Sequence, residues 1–234
     1  MEGLIEQDVR DFDVKVRQFL GSVSPTYTVE PKIPGVNVEI IYEGGSLSAA
    51  LTRERQDVTP HVKTIMSVPL TLVSDNKQTL PHFIAVSAIV YIEKQALSDL
   101  NQERSVKGLP LFLHGREGVV NSLAQSNPRV VAKRPLNLFC HRARLNPSPQ
   151  IRNHYELMLR LQQWGLRVNR PHIRVCHSAA EILEYSHYLK VHQDTFPYDL
   201  EGSIICVNDF ALQERMAGEA ENPEWTMVHT YKAP

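Results

Sequence analysis

The sequence predicts an α+β fold made mainly of antiparallel sheets with flanking helices, and two changes of pattern support this. Apolar residues recur at helical spacing from Val9 to Leu20, and Gly21 follows as a stop, which is typical of an opening helix. After it come short β-branched or alternating runs, separated by Pro34-Gly35 and Gly44-Gly45, which predict a meander of strands. Helical and strand-like segments are mixed over the rest of the chain, so we expect sheets covered by helices.

The individual elements follow in order along the chain. The predicted strands are 27–30, 36–42, 47–52, 82–92, 136–140, 174–176, 202–207 and 226–231, and the predicted helical segments are 62–68, 93–101, 117–125, 151–164 and 210–217. A further helix begins after Ser178, because Glu181 three residues later completes a capping box. The segment Arg142–Gln150, with Pro147 and Pro149, is the best candidate for an internal linker.

Composition sets limits on the class of protein. The chain has 234 residues, of which 42% are hydrophobic and 22% charged, as in an ordinary globular protein. The formal net charge of −1 argues mildly against strong autonomous DNA binding, because DNA-binding domains usually carry a basic excess. No stretch is long and apolar enough for a membrane helix, and the acidic start lacks the pattern of a signal peptide. We therefore expect a cytoplasmic protein.

The three cysteines do not form a metal or disulfide pattern. Their wide spacing offers neither a CxxC pair nor a disulfide framework, which favours a reducing compartment. The pairs Cys140-His141 and Cys176-His177 lie on predicted strands or their ends, where neighbouring side chains point to opposite faces. We interpret the cysteines as core residues and expect no metal site.

Several segments carry distinctive residue patterns in a fixed order. They are DVRDFDVKVRQFLG (8–21), EPKIPG (30–35), IIYEGGSLSAALTR (40–53), QDVTPHVKTIMSVPLTL (56–72), NPRVVAKRPL (127–136), the Trp164-Gly165 and Cys176–Tyr185 stretches, EGSIICVND (201–209) and ALQERM (211–216). Taken together, they resemble the adenylation domain of bacterial NAD-dependent DNA ligases from about Asp8 to Pro234. The resemblance implies the nucleotidyltransferase (ATP-grasp-like) fold in one domain over 1–234, with 1–21 as a lead-in helix. It implies no OB-fold, zinc or helix-hairpin-helix module.

The resemblance also implies a chemistry. In the family, a lysine amine attacks the α-phosphate of NAD, forms lysyl-AMP and expels nicotinamide mononucleotide, after which AMP passes to a DNA 5′-phosphate. Such a reaction requires an unprotonated lysine, cations around the phosphoryl group, and carboxylates that hold Mg²⁺.

Some residues of this machinery have counterparts in the chain. Lys32 occupies the position of the adenylated lysine. The resemblance assigns vestigial nucleotide-binding positions to Glu30, Arg53, Arg116, His141 and Glu201. Glu30 corresponds to the acid of the adenine pocket, His141 to the aromatic residue that stacks on adenine, and Glu201 to an aspartate.

Other positions depart from the family pattern. Pro34 replaces the aspartate of the nucleophile motif, which removes a carboxylate and a backbone N–H. Ala85 and Ile89 replace two carboxylates, one of them tied to metal and ribose binding in the family. The glycine-rich loop is shortened to Thr52–Thr59. These changes predict that the site binds a metal ion and phosphate groups only weakly.

Positively charged residues of the family pattern are also replaced in this chain. Cys206 replaces a lysine that touches phosphate in the family, and Thr230 occupies the place of another, with Lys232 two residues later. Glu224 reverses the charge of an arginine. Because positive neighbours favour an unprotonated lysine, we expect the Lys32 amine to be protonated and unreactive.

Three functions are compatible with these observations. The leading hypothesis is a non-catalytic relative of the adenylation domain that binds a protein partner, a nucleotide or DNA, with no cofactor and only weak DNA binding of its own. The alternative is a minimal nucleotidyltransferase that still forms lysyl-AMP at Lys32 from NAD or ATP with Mg²⁺. A third hypothesis is a split ligase whose other domains lie on another chain.

Overall fold

The eight strands of the described residues form two four-stranded antiparallel sheets. The computed structural model describes residues 2–73, 80–147, 150–217 and 225–231. The strands are β1 Tyr27–Lys32, β2 Val36–Glu43, β3 Ser46–Thr52, β4 Phe83–Ile92, β5 Leu136–Asn146, β6 Arg174–Cys176, β7 Gly202–Val207 and β8 Thr226–Thr230. The first sheet has the order β6-β1-β7-β8, and the second has the order β3-β2-β4-β5. The predicted α+β class with antiparallel sheets is therefore confirmed.

Helices cover these sheets. They are α1 Glu2–Leu20, α2 Thr59–Val62, α3 Lys94–Val106, α4 Gly115–Leu123, α5 Pro128–Val131, α6 His154–Gln163, α7 Ala179–Val191 and α8 Phe210–Met216. The opening helix ends at the predicted residue because Gly21 has a φ of +68°, a conformation that glycine adopts without strain. None of the helices in the described ranges is long and apolar enough to cross a membrane.

Each sheet buries one face in a core of its own. The first core packs α1 and α7 against β1 and β7; it includes Val9, Val16, Leu20, Tyr27, Val29, Ile182, Leu189 and Ile205. The second core packs α4 and α6 against β2, β4 and β5; it includes Val38, Ile40, Val86, Ala88, Val90, Val119, Leu138, Met158 and Leu161. Because side chains alternate along a strand, the other faces of both sheets point away from these positions. They bury Tyr91, Phe139 and Cys206 and also line a cleft.

Two sequence predictions about elements were wrong in detail, and one short element was missed. The predicted helical turn over 62–68 lies earlier, as α2. The helix predicted over 151–164 begins at His154, because the Asn153 side chain caps it by accepting a hydrogen bond from the Glu156 N–H at 2.8 Å. The short helix α5 was not predicted; its start is capped in the same way by Asn127.

The predicted linker Arg142–Gln150 is also corrected. Its first half continues β5, which pairs with β4 as far as Asn146 opposite Phe83. Ala143 and Leu145 alternate toward the second core and pack against it, so this segment has both a backbone partner and a buried face. Pairing with the long neighbouring strand β4 therefore determined the conformation of this segment more strongly than the two prolines did.

The capping box before α7 is present with a variation. The Ser178 hydroxyl accepts a hydrogen bond from the Glu181 N–H at 3.3 Å, as predicted. The Glu181 carboxylate accepts from the N–H of His177 at 3.0 Å, one residue before the cap. Both contacts satisfy backbone donors at the start of the helix.

Candidate functional site

The sheet register places several predicted site positions on one face of the first sheet. Lys32 on β1 lies opposite Gly202 on β7, which lies opposite Thr230 on β8. Residues directly opposite one another in antiparallel strands share a face, so these three form one row. Glu30 begins the next row along the same face, because it is two residues before Lys32.

A cavity of about 560 Å³ opens beside Lys32. It brings together the predicted site residues Lys32, Arg116 and Glu201, and also Thr230. The remaining lining residues are Pro34, Lys94, His114, Gln193, Asp194, Asp199, Leu200 and Tyr231. Arg116 reaches it from the first turn of α4. The cavity is within the usual size range of small-molecule sites.

Lys32 forms an ion pair inside this cavity. Its Nζ atom lies 3.0 Å from Oε2 of Glu201, and the two side chains are 33% and 42% exposed. The backbone fixes Glu201 at this place: its N–H donates to the Lys32 carbonyl at 2.9 Å, and its carbonyl accepts from the Tyr231 N–H at 2.8 Å. The carboxylate therefore stands next to the amine that the family uses as a nucleophile and engages it in an ion pair.

Lys94 is a cation of the site that the sequence did not reveal. Its Nζ atom donates to the Gln193 carbonyl at 2.9 Å, and its backbone N–H donates to the Pro197 carbonyl at 2.8 Å. It follows β4 by two residues, and that proximity to a cleft strand was the signal available in the sequence. With Lys32 and Arg116 it gives the cavity three cationic side chains.

Glu30 and His154 form a second, buried pair deeper in the cleft. The His154 Nε2 atom lies 3.2 Å from Oε1 of Glu30, and the residues are only 5% and 8% exposed. His154 is the first residue of α6, and its N–H donates to the Asn208 carbonyl at 2.8 Å. The Asn208 side chain in turn accepts from the Tyr155 N–H at 3.1 Å. These contacts hold the imidazole against the carboxyl group of Glu30.

His141 completes this cluster from the second sheet. The pairing of β5 with β4 shifts between Cys140, opposite Ala88, and Arg142, opposite Ser87, so His141 is the extra residue of a bulge. Burial lowers the pKa of His141; the negative charge of Glu30 opposes this shift. The residue that the resemblance places over adenine thus lies near the Glu30 pair.

Cys206 is a buried thiol where the family has a lysine. Its Sγ atom lies 3.2 Å from the Thr226 hydroxyl, and burial raises its pKa to about 12. It contributes no positive charge to the cleft at neutral pH.

The strand that faces β1 across the cleft offers no carboxylate. Ala85, Ser87 and Ile89 alternate with core residues of β4 and therefore point away from the second core. Gly35 packs against Ile89: a Cβ atom at position 35 would lie 2.2 Å from the Val90 carbonyl oxygen and 2.8 Å from Cγ1 of Ile89. This face does not fit the Mg²⁺ that the family chemistry requires. In the part of the chain that the structure describes, no group of three or more His, Cys, Asp and Glu side chains could hold a metal.

Arg53 does not join the other predicted residues. It is exposed at the turn after β3 and does not line the cavity beside Lys32. Glu224 and Lys232 lie outside the described residues.

Comparison with known proteins identifies the class. The sequence model of the NAD-dependent DNA ligase adenylation domain matches residues 2–234, so the chain belongs to that family, and the resemblance seen in the sequence is confirmed.

The relatives are DNA ligases. One from Syntrophotalea carbinolica is 33% identical over 230 residues, which cover 96% of this chain and 34% of the ligase. Those from Paramagnetospirillum magneticum and Desulforapulum autotrophicum are each 36% identical over 236 residues and cover 97% of this chain. The match covers 33% and 34% of these two ligases, so the chain spans about a third of the length of these relatives.

Proposed function

We propose that this chain is an adenylation domain that binds a ligand in its cleft without transferring adenylate. The observation that supports this most directly is the Lys32–Glu201 ion pair at 3.0 Å, in a cleft whose facing strand carries Ala85, Ser87 and Ile89. The residue in the nucleophile position is paired with an acid, and the carboxylates for a metal are replaced.

The chemistry accounts for the expected inactivity. The Lys32 Nζ atom that would have to attack phosphorus is engaged in an ion pair with the Glu201 carboxylate, so it is not free to act as a nucleophile. Removing one preorganised cation or donor typically slows a reaction by ~10²–10³. Such losses are not additive, but Cys206 and Thr230 both lack the charge of the lysines they replace.

Binding a ligand requires fewer functional groups than transferring adenylate does. Lys32, Lys94 and Arg116 line one cavity together with the carboxylates Asp194, Asp199 and Glu201. An anionic group that displaces Glu201 from Lys32 would have three cations to contact there. Farther along the cleft, His141 remains as a partner for a ring, beside the buried Glu30–His154 pair. We therefore expect a nucleotide or a similar phosphorylated molecule to bind as a ligand, with protein and DNA partners as the other classes.

The alternative function is a minimal nucleotidyltransferase. It is favoured by the presence of Lys32 and Arg116 in the same cavity, with Lys94 as an additional cation. In that case NAD or ATP with Mg²⁺ would be the substrate. The Lys32 amine would form a bond to the α-phosphorus while nicotinamide mononucleotide or pyrophosphate leaves, and the lysine proton would pass to a base such as Glu201.

Intact-mass spectrometry distinguishes the two. The protein is incubated with NAD or with ATP, each with Mg²⁺, over a range of pH, and Lys32→Ala serves as the control. We expect an unchanged mass in every sample. A gain of one AMP that is absent from Lys32→Ala would establish the alternative and reject the proposal.

Titration calorimetry tests the binding itself. We expect NAD, ATP or AMP to bind without added metal, and Arg116→Ala to weaken that binding by about tenfold through loss of one charged contact. Arg152→Ala, which removes an exposed arginine outside the cavity, is the matched control. If none of the three nucleotides binds, the proposal that the cleft binds a nucleotide is wrong.

A further inference from the structure

A second depression lies on the far side of α3, away from the cleft. It has a volume of about 680 Å³ and runs between α3 and the region of α5. None of its lining residues lines the cavity beside Lys32. Its floor is apolar and includes Leu100 and Val130, and its rim is charged. We call it the α3–α5 groove.

The charged side chains of the two groove walls differ in whether they have a partner. On the α3 wall, Asp99 accepts a hydrogen bond from Gln95 at 2.8 Å, and Glu103 lies 3.9 Å from the Lys107 ammonium. The α5 wall carries Arg129, Lys133 and Arg134. Among the described residues, these three side chains have no ion-pair partner, so this wall presents unbalanced positive charge.

A smaller depression continues past the groove and adds one apolar residue. It shares Asp99, Glu103 and Lys107 with the groove and extends to Val106 at the end of α3. Val106 is 85% exposed, and Val130 is 36% exposed. Larger exposed apolar patches that are rimmed by polar residues mark interaction sites.

We propose that the α3–α5 groove docks an acidic, amphipathic peptide segment of a partner protein. Carboxylates of the segment would pair with Arg129, Lys133 and Arg134, and its apolar side chains would cover the floor around Val130 and Val106. A nucleic-acid backbone fits less well, because it carries phosphates on both sides and an apolar floor offers them no partner. An amphipathic helix can instead turn its carboxylates toward Arg129, Lys133 and Arg134 and away from Asp99 and Glu103. The inference does not depend on what the cleft binds.

Fluorescence anisotropy with a synthetic probe tests this. The probe is a labelled peptide of about 15 residues with Glu on one helical face and Leu on the other. The comparison ligands are the same peptide with Lys in place of Glu, and a labelled DNA oligonucleotide of similar length. We expect saturable binding of the acidic peptide that weakens with salt, and weaker binding of the other two.

Substitutions in the groove test whether the acidic peptide binds there. The double variant Arg129→Glu with Lys133→Glu is expected to weaken binding of the acidic peptide by about tenfold or more. Val130→Ser is expected to weaken this binding by a smaller factor. Lys63→Glu with Arg170→Glu makes the same change in net charge at exposed positions outside the groove and is the matched control. Circular dichroism confirms that each variant is folded.

Three outcomes would overturn the proposal. They are the absence of saturable binding by the acidic peptide, equal weakening in the control variant, and tighter binding of the oligonucleotide that depends on Arg129 and Lys133. The last outcome would identify the groove as a nucleic-acid contact.

Discussion

Two carboxylates of the cleft, Glu30 and Glu201, each hold a basic side chain, but in different surroundings. Glu30 faces His154 at 3.2 Å, and both residues are buried. Glu201 faces Lys32 at 3.0 Å with both side chains partly open to water. A buried pair cannot exchange its partner for water, whereas an open pair can. We infer that the first pair is part of the fold and that the second is a contact a ligand could displace.

The backbone beneath the open pair offers the strongest way to disturb it. Gly202 lies opposite Lys32, and a Cβ atom there would lie 2.1 Å from the His229 carbonyl oxygen and 2.9 Å from Cα of Thr230. We expect Gly202→Ala to lower the free energy of unfolding by about 3 kcal/mol, because backbone on β8 must move. Urea denaturation measures this.

The control for this substitution is Gly115→Ala. There the added Cβ atom would be 3.4 Å from the Ile92 carbonyl oxygen, and alanine favours the helix. We expect a change of less than about 1 kcal/mol. Similar effects of both substitutions would show that the contact between β7 and β8 is looser than the structure indicates.

The buried pair should show the next largest effect. Glu30→Ala leaves His154 without its partner in a water-poor site, and we expect a loss of about 2 kcal/mol in the free energy of unfolding. Glu30→Gln, which keeps a hydrogen-bonding group, should lose less. Glu43→Ala, at an exposed position on β2, should change stability by less than about 0.5 kcal/mol. If Glu30→Ala is as mild as Glu43→Ala, the distinction between the two pairs fails.

The sequence predicted the fold better than it predicted the site. Strand and helix positions follow from local periodicity and from stops such as Gly21, which act over a few residues. The pairing of Lys32 with Glu201 spans a long stretch of chain and depends on the β1–β7 register, which single-sequence patterns do not determine. The same reason explains why Lys94 was missed, and why the strand was predicted to end at Cys140, before the bulge at His141.

The cluster at His141 gives a prediction for pH. Burial lowers the pKa of His141, so in acid the unfolded chain binds the proton before the folded chain does. Stability should therefore fall as the pH drops below about 6.5, with a slope of at most about 1.4 kcal/mol per pH unit from this group. His172 and His229, whose pKa values burial also lowers, add to the slope.

Urea denaturation at several pH values separates these contributions. His141→Asn should reduce the slope between pH 7 and pH 5, while His187→Asn, at an exposed position, should leave it as it is. A slope that is the same in both variants would mean that His141 takes up its proton equally in the folded and unfolded chains.

The smallest effect is expected for the open pair itself. A double-mutant cycle of Lys32→Ala and Glu201→Ala measures the coupling between the two side chains. Because the side chains are 33% and 42% exposed, water and salt screen their attraction, and we expect a coupling of about 0.5 kcal/mol that shrinks toward zero in 1 M salt. The corresponding cycle of Glu30→Ala and His154→Ala should give a larger value that changes little with salt, because burial excludes the screening ions. A Lys32–Glu201 coupling as large and as insensitive to salt as that of the buried pair would mean that the ion pair closes the cavity. In that case a ligand would have to displace a structural contact to bind there, and the proposal of an open binding cleft would be wrong.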